Sequence, residues 1–572
     1  MGAERDRSVT IKKIGNITRT YRHLERLVEI LGVAFKFGFD DLIDRLKIEQ
    51  YLDLGRKIFS REDRTDIEAL SRAKRLRLAL EELGPTFVKM GQMLSTRADL
   101  LPPDFVVELV RLQDEVAPFP FEQAKEIIET ELNAPLDMTF RNVDAEPMAA
   151  ASIGQVHRAG LRDGSAVVIK VQRPGIKGTI DADLEIMLYL AGLMEKHLDG
   201  WDVHRPTKLV EEFARNLNKE LDYTNEAANM ERLASLLADD PRAYIPKVFP
   251  KATTPRVLTM ESIEGIKSGS LDRLKAEGYD LKEIAGRGAD LMMKQIFVHG
   301  FFHADPHPGN LMILPENIIC FLDLGMMGRL DRMTREEIVD LVMAVARPDE
   351  SAMVSALLAL TRYEMEPDRR ELEKAVSDLV NRHLYRPLRD IQLGKLLQQL
   401  FNVIARFRLQ IPPDILLLVK ALTTLEGLGQ KLDPEFDVIQ AASPFVREIQ
   451  LDRFRPRRLA RDFIGYSNEL FHLLKEVPGD LKAVLRLAKQ GKLKIEFEHI
   501  GLTPLLNTQD RTSNRLAFAI VIASLVIGSS LIIHSDIPPK WHDIPLIGLA
   551  GYVVAGIMGF WLLISILRRG RM

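Results

Sequence analysis

Cysteine is almost absent from this chain. Its 572 residues contain one, Cys320, so no internal disulfide can form and a disulfide-built scaffold is excluded. The compartment is therefore reducing, or its redox state is irrelevant. Cys320 lies in an apolar run and reads as buried packing rather than chemistry. Charge of one sign is also lacking. The net charge is −3, so no global field argues for a nucleic-acid partner. Internal repeats and low-complexity segments are missing. Met1-Gly2-Ala3-Glu4-Arg5-Asp6-Arg7 has no apolar core for a secretory leader, and Asp6 stands where a myristoylation signal needs Ser or Thr. What is present is a globular composition, 46% hydrophobic and 28% charged, long enough for several domains.

The densest chemistry lies in Phe301-Phe302-His303-Ala304-Asp305-Pro306-His307-Pro308-Gly309-Asn310, followed by Phe321-Leu322-Asp323-Leu324-Gly325. Pro306, Pro308 and Gly309 forbid regular structure, so the first group reads as a loop. Leu311 to Leu314 and Ile318 to Leu322 are apolar runs around a turn at Pro315-Glu316-Asn317, which predicts a hairpin. Such a hairpin returns Asp323 to Asn310. Two carboxylates and an amide oxygen then meet, a hard-oxygen set suited to Mg²⁺ held with phosphates. Any one of these residues alone would serve as a cap or a turn. Together, H-x-D-x-x-x-x-N and D-x-G follow the kinase pattern, with Asp305 facing the acceptor and Asn310 and Asp323 on metal.

Residues 15 to 60 carry apolar positions at helical spacing, among them Leu24, Leu27, Leu31 and Phe35. With Phe37, Phe39, Lys12, Lys13, Arg19, Arg22 and Arg26 they suit either a membrane-surface helix or a helix docked on the body. Residues 66 to 115 read as helices broken at Gly84-Pro85 and Pro102-Pro103. On the middle one, Lys89, Gln92 and Thr96 share a face, as do Gln92, Ser95 and Asp99. Physics alone favours a solvated face there.

Residues 138 to 172 turn strand-like. Met148-Ala149-Ala150-Ala151-Ser152-Ile153-Gly154-Gln155-Val156-His157 reads as a small-residue loop between strands, able to let backbone approach phosphates. Ala166 to Val171 is an apolar strand presenting one lysine, Lys170, in V-V-I-K. A kinase would have glycines in the loop and V-A-I-K on the strand. A lone strand lysine is ordinarily a surface residue; its order before an acidic helix, a catalytic loop and D-x-G argues otherwise. That helix, Glu211 to about Leu237, offers Glu226 as the lysine's partner, with Glu220 and Asp222 as alternatives. Arg256 to Gly265 reads as a strand entering the inter-lobe hinge, where backbone near Met260 and Glu261 would hold adenine. Residues 280 to 300 and 333 to 430 are helical by period.

Arg453, Arg455, Arg457, Arg458 and Arg461 form a basic cluster ahead of an amphipathic stretch from Leu473 to Leu493. Anionic-lipid attraction and a solvated basic face explain it equally well. Leu516 to Ile533 and Ile544 to Leu567 carry no charge and suit two bilayer spans joined at Pro538-Pro539. Arg511, Arg515, Arg568, Arg569 and Arg571 flank the pair, so both ends and the soluble body belong on the cytoplasmic side. Gly551, Ala555 and Gly559 would let helices pack closely, within the hairpin or in a homodimer.

Lys89-x-Gly91-Gln92, Ala149-Ala150-Ala151-Ser152, Glu220-Leu221-Asp222-Tyr223, the Asp305 loop and Asp323-Leu324-Gly325 together resemble the UbiB family of atypical protein-kinase-like proteins linked to ubiquinone biosynthesis. The resemblance covers roughly residues 75 to 440, and the C-terminal hairpin resembles bacterial members. It implies ATP or ADP bound with Mg²⁺ between two lobes. It implies nucleotide contacts from Ala149, Ala150, Ala151, Ser152, Ile153, Gly154, Gln155, Val156, Lys170, Met260 and Glu261. Catalytic roles are implied for Lys170, Glu226 and Asp305, and metal-holding roles for Asn310 and Asp323. Lys89, Gly91, Gln92, Glu220 and Asp222 would form a family-specific gate over the site, reversing the solvated-face reading of Lys89 and Gln92.

The expected architecture is α+β: an atypical kinase-like bilobal fold with a helical N-terminal extension and a C-terminal transmembrane hairpin. Its boundaries are 1–75 for the extension, 76–137 for the K-x-G-Q segment, 138–265 for the small lobe and 266–443 for the large lobe. A basic, amphipathic linker (444–512) and the hairpin (513–572) complete it. The expected function is a membrane-anchored, Mg²⁺-dependent ATPase or kinase at the cytoplasmic face of an inner membrane. By resemblance it supports ubiquinone biosynthesis, with quinone-biosynthesis proteins or lipid intermediates and anionic lipid as partners. A non-catalytic, nucleotide-switched scaffold and a small-molecule kinase are the alternatives.

Overall fold

The computed structural model describes residues 21–46, 70–95, 97, 101–112, 116–198, 205–346, 349–363, 365–383, 393–453, 455–456, 489, 502–535, 537–541 and 544–569. Two compact units result, Met1–Ala460 and Arg461–Met572.

In the first unit, β1 (Phe140–Val143), β2 (Ala149–Ala150), β3 (Gly154–Leu161) and β4 (Ala166–Gln172) are joined after β5 (Ala243–Tyr244) by β6 (Val257–Glu261). The antiparallel order is β1-β3-β4-β6, with β2 folded onto β3. Strand alternation divides β4 cleanly. Val167, Ile169 and Val171 bury against Ala124, Ile127 and Ile128 of the helix Phe121–Leu132, while Lys170 points to the other face. The small-residue stretch is tighter than an open loop. Ala149 pairs with Val156 and Ala150 with Gln155, leaving Ala151-Ser152-Ile153 as the tip of a hairpin.

Helices Arg72–Leu83, Pro85–Ser95 and Pro103–Leu109 break where Gly84-Pro85 and Pro102-Pro103 require. The helix Tyr21–Lys36 docks on them: Leu27, Ile30 and Leu31 share a core with Leu80, Leu83, Ile180 and Leu184. Its Arg26 donates to fully buried Asp183 at 2.7 Å and to the Leu83 carbonyl at 2.6 Å. The docked helix is thus what this segment forms. Lys12, Lys13 and Arg19 lie outside the described residues.

One long acidic helix does not form between Glu211 and Leu237. Two helices do, Pro206–Glu220 and Tyr223–Leu236. Asp222 between them accepts the Thr224 N–H at 3.0 Å, so the chain restarts on a capped N-terminus.

In the large lobe, β7 (Ile266–Lys267), β8 (Phe301–His303), β9 (Leu311–Leu314), β10 (Ile318–Phe321) and β11 (Met327–Arg329) form two small sheets, β5-β10-β9-β7 and β11-β8. The hairpin is present, with Phe321 opposite Leu311. Its turn places Glu316 and Asn317 at φ 63° and 59°, a left-handed conformation that asparagine tolerates. Cys320 is fully buried, and burial pushes its thiol up to about 12. Behind the sheets lie helices Leu281–Met293, Arg332–Ala346, Glu350–Leu360, Arg369–His383, Leu393–Arg406, Pro413–Leu432 and Val438–Arg453. Arg453 is tied to the body, 2.6 Å from Asp340. Arg457, Arg458, Arg461 and, apart from Lys489, the Leu473 to Leu493 stretch lie outside the described residues.

The second unit pairs helices Leu502–His534 and Leu546–Arg569. Within them Ser513–His534 and Leu546–Leu563 are long and apolar enough to cross a membrane. Leu516, Ile520, Ile557 and Phe560 stay exposed, as lipid-facing side chains would. A Cβ on Gly551 would run into the Ser529 hydroxyl, and Ser529 and Ala555 are buried. Gly551 and Ala555 therefore pack inside the hairpin. Among the described residues nothing packs against Gly559.

Candidate functional site

The site grows from β4. Pairing sets Val156, Lys170 and Leu258 side by side, and Met260 opposite Val168 falls on the same face as Lys170. Lys170 Nζ lies 2.8 Å from Glu226 Oε2 and 3.4 Å from Asp323 Oδ2, with the Tyr223 ring centroid 5.2 Å away. Among the three carboxylates left open by sequence, Glu226 is the lysine's partner. Glu220 instead meets Lys89 at 2.5 Å, and Asp222 is spent on its cap.

One ammonium between two carboxylates splits their acidities. Burial, reinforced by Asp323 and only partly opposed by Lys170, pushes Glu226 up to about 7. Asp323 also feels burial, but Lys170 and the Gly325 N–H, 3.0 Å from its Oδ1, hold it well below the usual carboxylate range. The closer carboxylate is therefore the weaker acid. Glu226 is 6% exposed and Asp323 46%, and Asp323 also accepts the Gly325 N–H, so the charge settles on Asp323.

Below the cleft, Leu322 N–H donates to the Asn310 carbonyl at 2.9 Å, so the hairpin does bring Asp323 back to Asn310. Asn310 Nδ2 donates to the Asp305 carbonyl at 3.2 Å, closing the loop. Buried His303 anchors it: its N–H donates to Gln295 at 3.0 Å, and burial pushes its imidazole down to about 4. Asp305 meets a residue that no motif announced, Lys420, at 3.1 Å.

Above the cleft, a Cβ on Gly154 would come within 2.5 Å of both the Tyr223 hydroxyl and the Val171 carbonyl, so only glycine fits. Ile153 and Ser152 are buried at the hairpin tip. The side chain of Gln155 does not face Lys170; it exchanges hydrogen bonds with the Phe119 backbone at 3.0 and 3.1 Å. Glu261 likewise turns its carboxylate to Tyr244 and the Lys247 N–H. Neither side chain is therefore turned to a nucleotide, and the Glu261 N–H is itself donated to the Lys247 carbonyl at 2.8 Å.

The polar stripe on helix Pro85–Ser95 is not a solvated face, and that expectation is corrected. Lys89 is 17% exposed and paired with Glu220, while Gln92 donates to the Leu112 carbonyl at 3.3 Å. Gly91 makes room for Leu112 and Leu80. Thr96 and Asp99 lie outside the described residues.

Chemically, the cleft fits a metal-bound nucleoside phosphate. Among the described residues no three His, Cys, Asp or Glu side chains form a metal cage. Mg²⁺ commonly takes only one or two protein ligands and completes its shell with phosphate and water, which suits Asn310 and Asp323. Among the described residues, Glu226 Oε1, Ser152 Oγ and the Tyr223 hydroxyl are buried without a hydrogen-bond partner. They are polar groups awaiting a ligand or water. Sequence reasoning missed Lys420, and also Asn229, whose Nδ2 donates to the Leu324 carbonyl at 3.0 Å and ties the Glu226 helix to D-x-G. Asn229 stood within the acidic block; Lys420 had no signal at all.

Three family descriptions match the chain. They are the ABC1 atypical kinase-like domain over 111–357, the UbiB helical domain over 376–437 and the ABC1/UbiB kinase-like C-terminal domain over 500–568. A "Probable protein kinase UbiB" of Xanthomonas campestris pv. campestris (strain B100) is 33% identical over 555 residues, 95% of this chain and 99% of that one. A Clostridium pasteurianum "Uncharacterized protein in hydrogenase 1 5'region" is 36% identical over 502 residues, 86% of this chain and 93% of that one. A solved complex of Mycobacterium tuberculosis Rv3197 with erythromycin has a TM-score of 0.42 at 24% identity, covering 60% of this chain and 91% of that one.

Proposed function

Since this chain belongs to the ABC1/UbiB family of atypical kinase-like proteins, we propose that it is a membrane-anchored, Mg²⁺-dependent ATPase or kinase that supports ubiquinone biosynthesis. The observation that carries this reading is the Lys170–Glu226–Asp323 triad, with the hairpin returning Asp323 to the Asp305–Asn310 loop. When bound, ATP supplies the transferable phosphoryl group and Mg²⁺ screens its charge. The chain does the rest by position and charge.

Lys170, held by Glu226, pairs the phosphates. Asn310 and Asp323 hold the metal, and Asp323 is ionised for that task. Asp305 orients the attacking oxygen and takes its proton. The Ala149–Ile153 hairpin covers the phosphates, Gly154 lets β3 close over Tyr223, and backbone at Met260 and Glu261 receives the base. Lys89, Gln92 and Glu220 form the gate, with Gly91 seating its helix and Asp222 restarting the next.

The two apolar helices support reading the chain as membrane-anchored, and the flanking arginines support a body on the cytoplasmic face of the inner membrane. Anionic lipid is the surface partner, and quinone-biosynthesis proteins or polyprenylated precursors are the clients. Gly559 is left over for pairing between copies.

The test is ATP turnover by full-length protein in anionic liposomes, with and without Mg²⁺, for wild type and Asp323→Asn. Turnover that needs the metal, the lipid and Asp323 supports the reading. Nucleotide bound but never consumed makes the protein a nucleotide-switched scaffold. Phosphate appearing on a soluble metabolite, indifferent to lipid, makes it a small-molecule kinase.

A further inference from the structure

Asp305 is held from a distance. Lys420 Nζ lies 3.1 Å from Asp305 Oδ2 and 3.9 Å from the Met326 sulfur. The two charged side chains are 27% and 28% exposed, so the pair is partly open to solvent and not sealed in the core. Lys420 stands on the helix Pro413–Leu432, whose first turn is fastened to the same region: Asp414 accepts the Arg329 N–H of β11 at 3.1 Å. β11 pairs with β8, the strand that runs into Asp305. Leu418, Ala421 and Leu425 bury other positions of the helix in the large-lobe core. One helix is thus fastened to Asp305 itself and to the strand after Asp323-Leu324-Gly325, which in turn pairs with the strand before Asp305. It lies within residues 376–437, outside the kinase-like match.

Charge division gives the contact its meaning. Lys170 is engaged by Glu226 and Asp323 on the nucleotide side. The acceptor side holds Asp305, and among the described residues Lys420 is the cation in ion-pair reach of it. The geometry points to Lys420 as a positioning residue for phosphoryl transfer, holding the Asp305 carboxylate toward the acceptor and coupling the C-terminal helical segment to the chemistry. This rests on the proposed ATPase or kinase function. In the step it serves, the acceptor oxygen bonds to the γ-phosphorus while the bond to the β–γ bridging oxygen breaks. That electron pair leaves with ADP, and the acceptor's proton passes to Asp305. A carboxylate turned aside cannot receive it, and a misplacement of about 1 Å costs on the order of 100-fold in rate.

The experiment compares wild type, Lys420→Met, Lys420→Arg, Asp305→Asn and the Asp305→Asn/Lys420→Met double variant as full-length protein in anionic vesicles. It reads kcat and KM for Mg²⁺-ATP together with binding of a fluorescent ADP. Lys420→Met should lower kcat about tenfold or more with KM and ADP affinity held within about twofold, the signature of a contact that matters in the transition state. Lys420→Arg should recover most of the loss. The double variant should be no slower than Asp305→Asn alone, because Lys420 acts through Asp305.

Wild-type or raised kcat in Lys420→Met overturns the inference and leaves the proposed function standing. So does a loss confined to KM, or losses that multiply in the double variant. If Lys420→Met fails to fold, judged by its melting transition, Lys420→Arg decides: a fall in its kcat as deep as in Asp305→Asn overturns the inference, since arginine retains the charge. Wild-type protein without turnover, or Asp305→Asn at wild-type rate, overturns the proposed function and the inference together.

Discussion

Lys170 and Glu226, 56 residues apart in sequence, meet at 2.8 Å with Glu226 almost wholly buried. Neither makes sense alone. A buried carboxylate without its cation is costly, and a strand lysine without its carboxylate would seek solvent.

Lys170→Met should therefore abolish turnover and also lower the melting temperature. Removing one partner of a buried pair typically costs about 3–5 kcal/mol. Glu226 is already pushed up to about 7 and can take a proton, so the measured loss should fall below that range. Chemical denaturation of Lys170→Met against Lys170→Met/Glu226→Gln checks it. The second substitution should restore stability, and no recovery would place the strain elsewhere.

The same carboxyl predicts a pH dependence. Its folded value, about 7, lies above its ordinary 4.5, so in that window the folded chain binds the proton that the unfolded chain has lost. Glu226's contribution to stability is full below 4.5 and is lost as pH rises through about 7. Glu226→Gln should remove that component from a stability–pH curve. Turnover should move the opposite way, rising through about 7 as Glu226 ionises and grips Lys170. A turnover profile flat across neutrality would contradict the assignment.

Gly154→Ala should destabilise by about 1–3 kcal/mol, the usual cost of overpacking. The added methyl meets the Tyr223 hydroxyl and the Val171 carbonyl, both at 2.5 Å. Tyr223→Phe removes only the first obstacle, so it should rescue poorly. Full rescue in a denaturation curve would mean that the backbone contact yields.

Cys320 should resist thiol reagents in the native protein. Its side chain is fully buried and its thiol is pushed up to about 12, leaving almost no thiolate near neutral pH. Labelling with a maleimide should track unfolding in denaturant. Rapid labelling of native protein would show the β10 strand to be open.

Much of the site was legible because it is built locally. Pro306, Pro308 and Gly309 break the chain, and the Leu311–Leu314 and Ile318–Phe321 strands return it within a few residues, so Asn310 and Asp323 meet without help from distant segments. The apolar tail was equally plain. Two uncharged runs of bilayer length need no partner to announce a hairpin. The acidic stretch reads as one helix in sequence because a cap looks like any other aspartate until its side chain turns back onto the Thr224 N–H.

Sequence alone determined which residue types stand at the cleft and in what order, since motif spacing, turn chemistry and apolar periodicity all act over short stretches of chain. Tertiary structure decided the pairings. Glu226 rather than Glu220 or Asp222 reaches Lys170 because the break at Asp222 resets the rotation of the following helix. Lys89 leaves water because Glu220 comes to meet it, and Asp305 gains Lys420 from a helix far along the chain. The reason is physical: which charges are neutralised depends on distance and burial in three dimensions, and neither quantity exists until the lobes have packed.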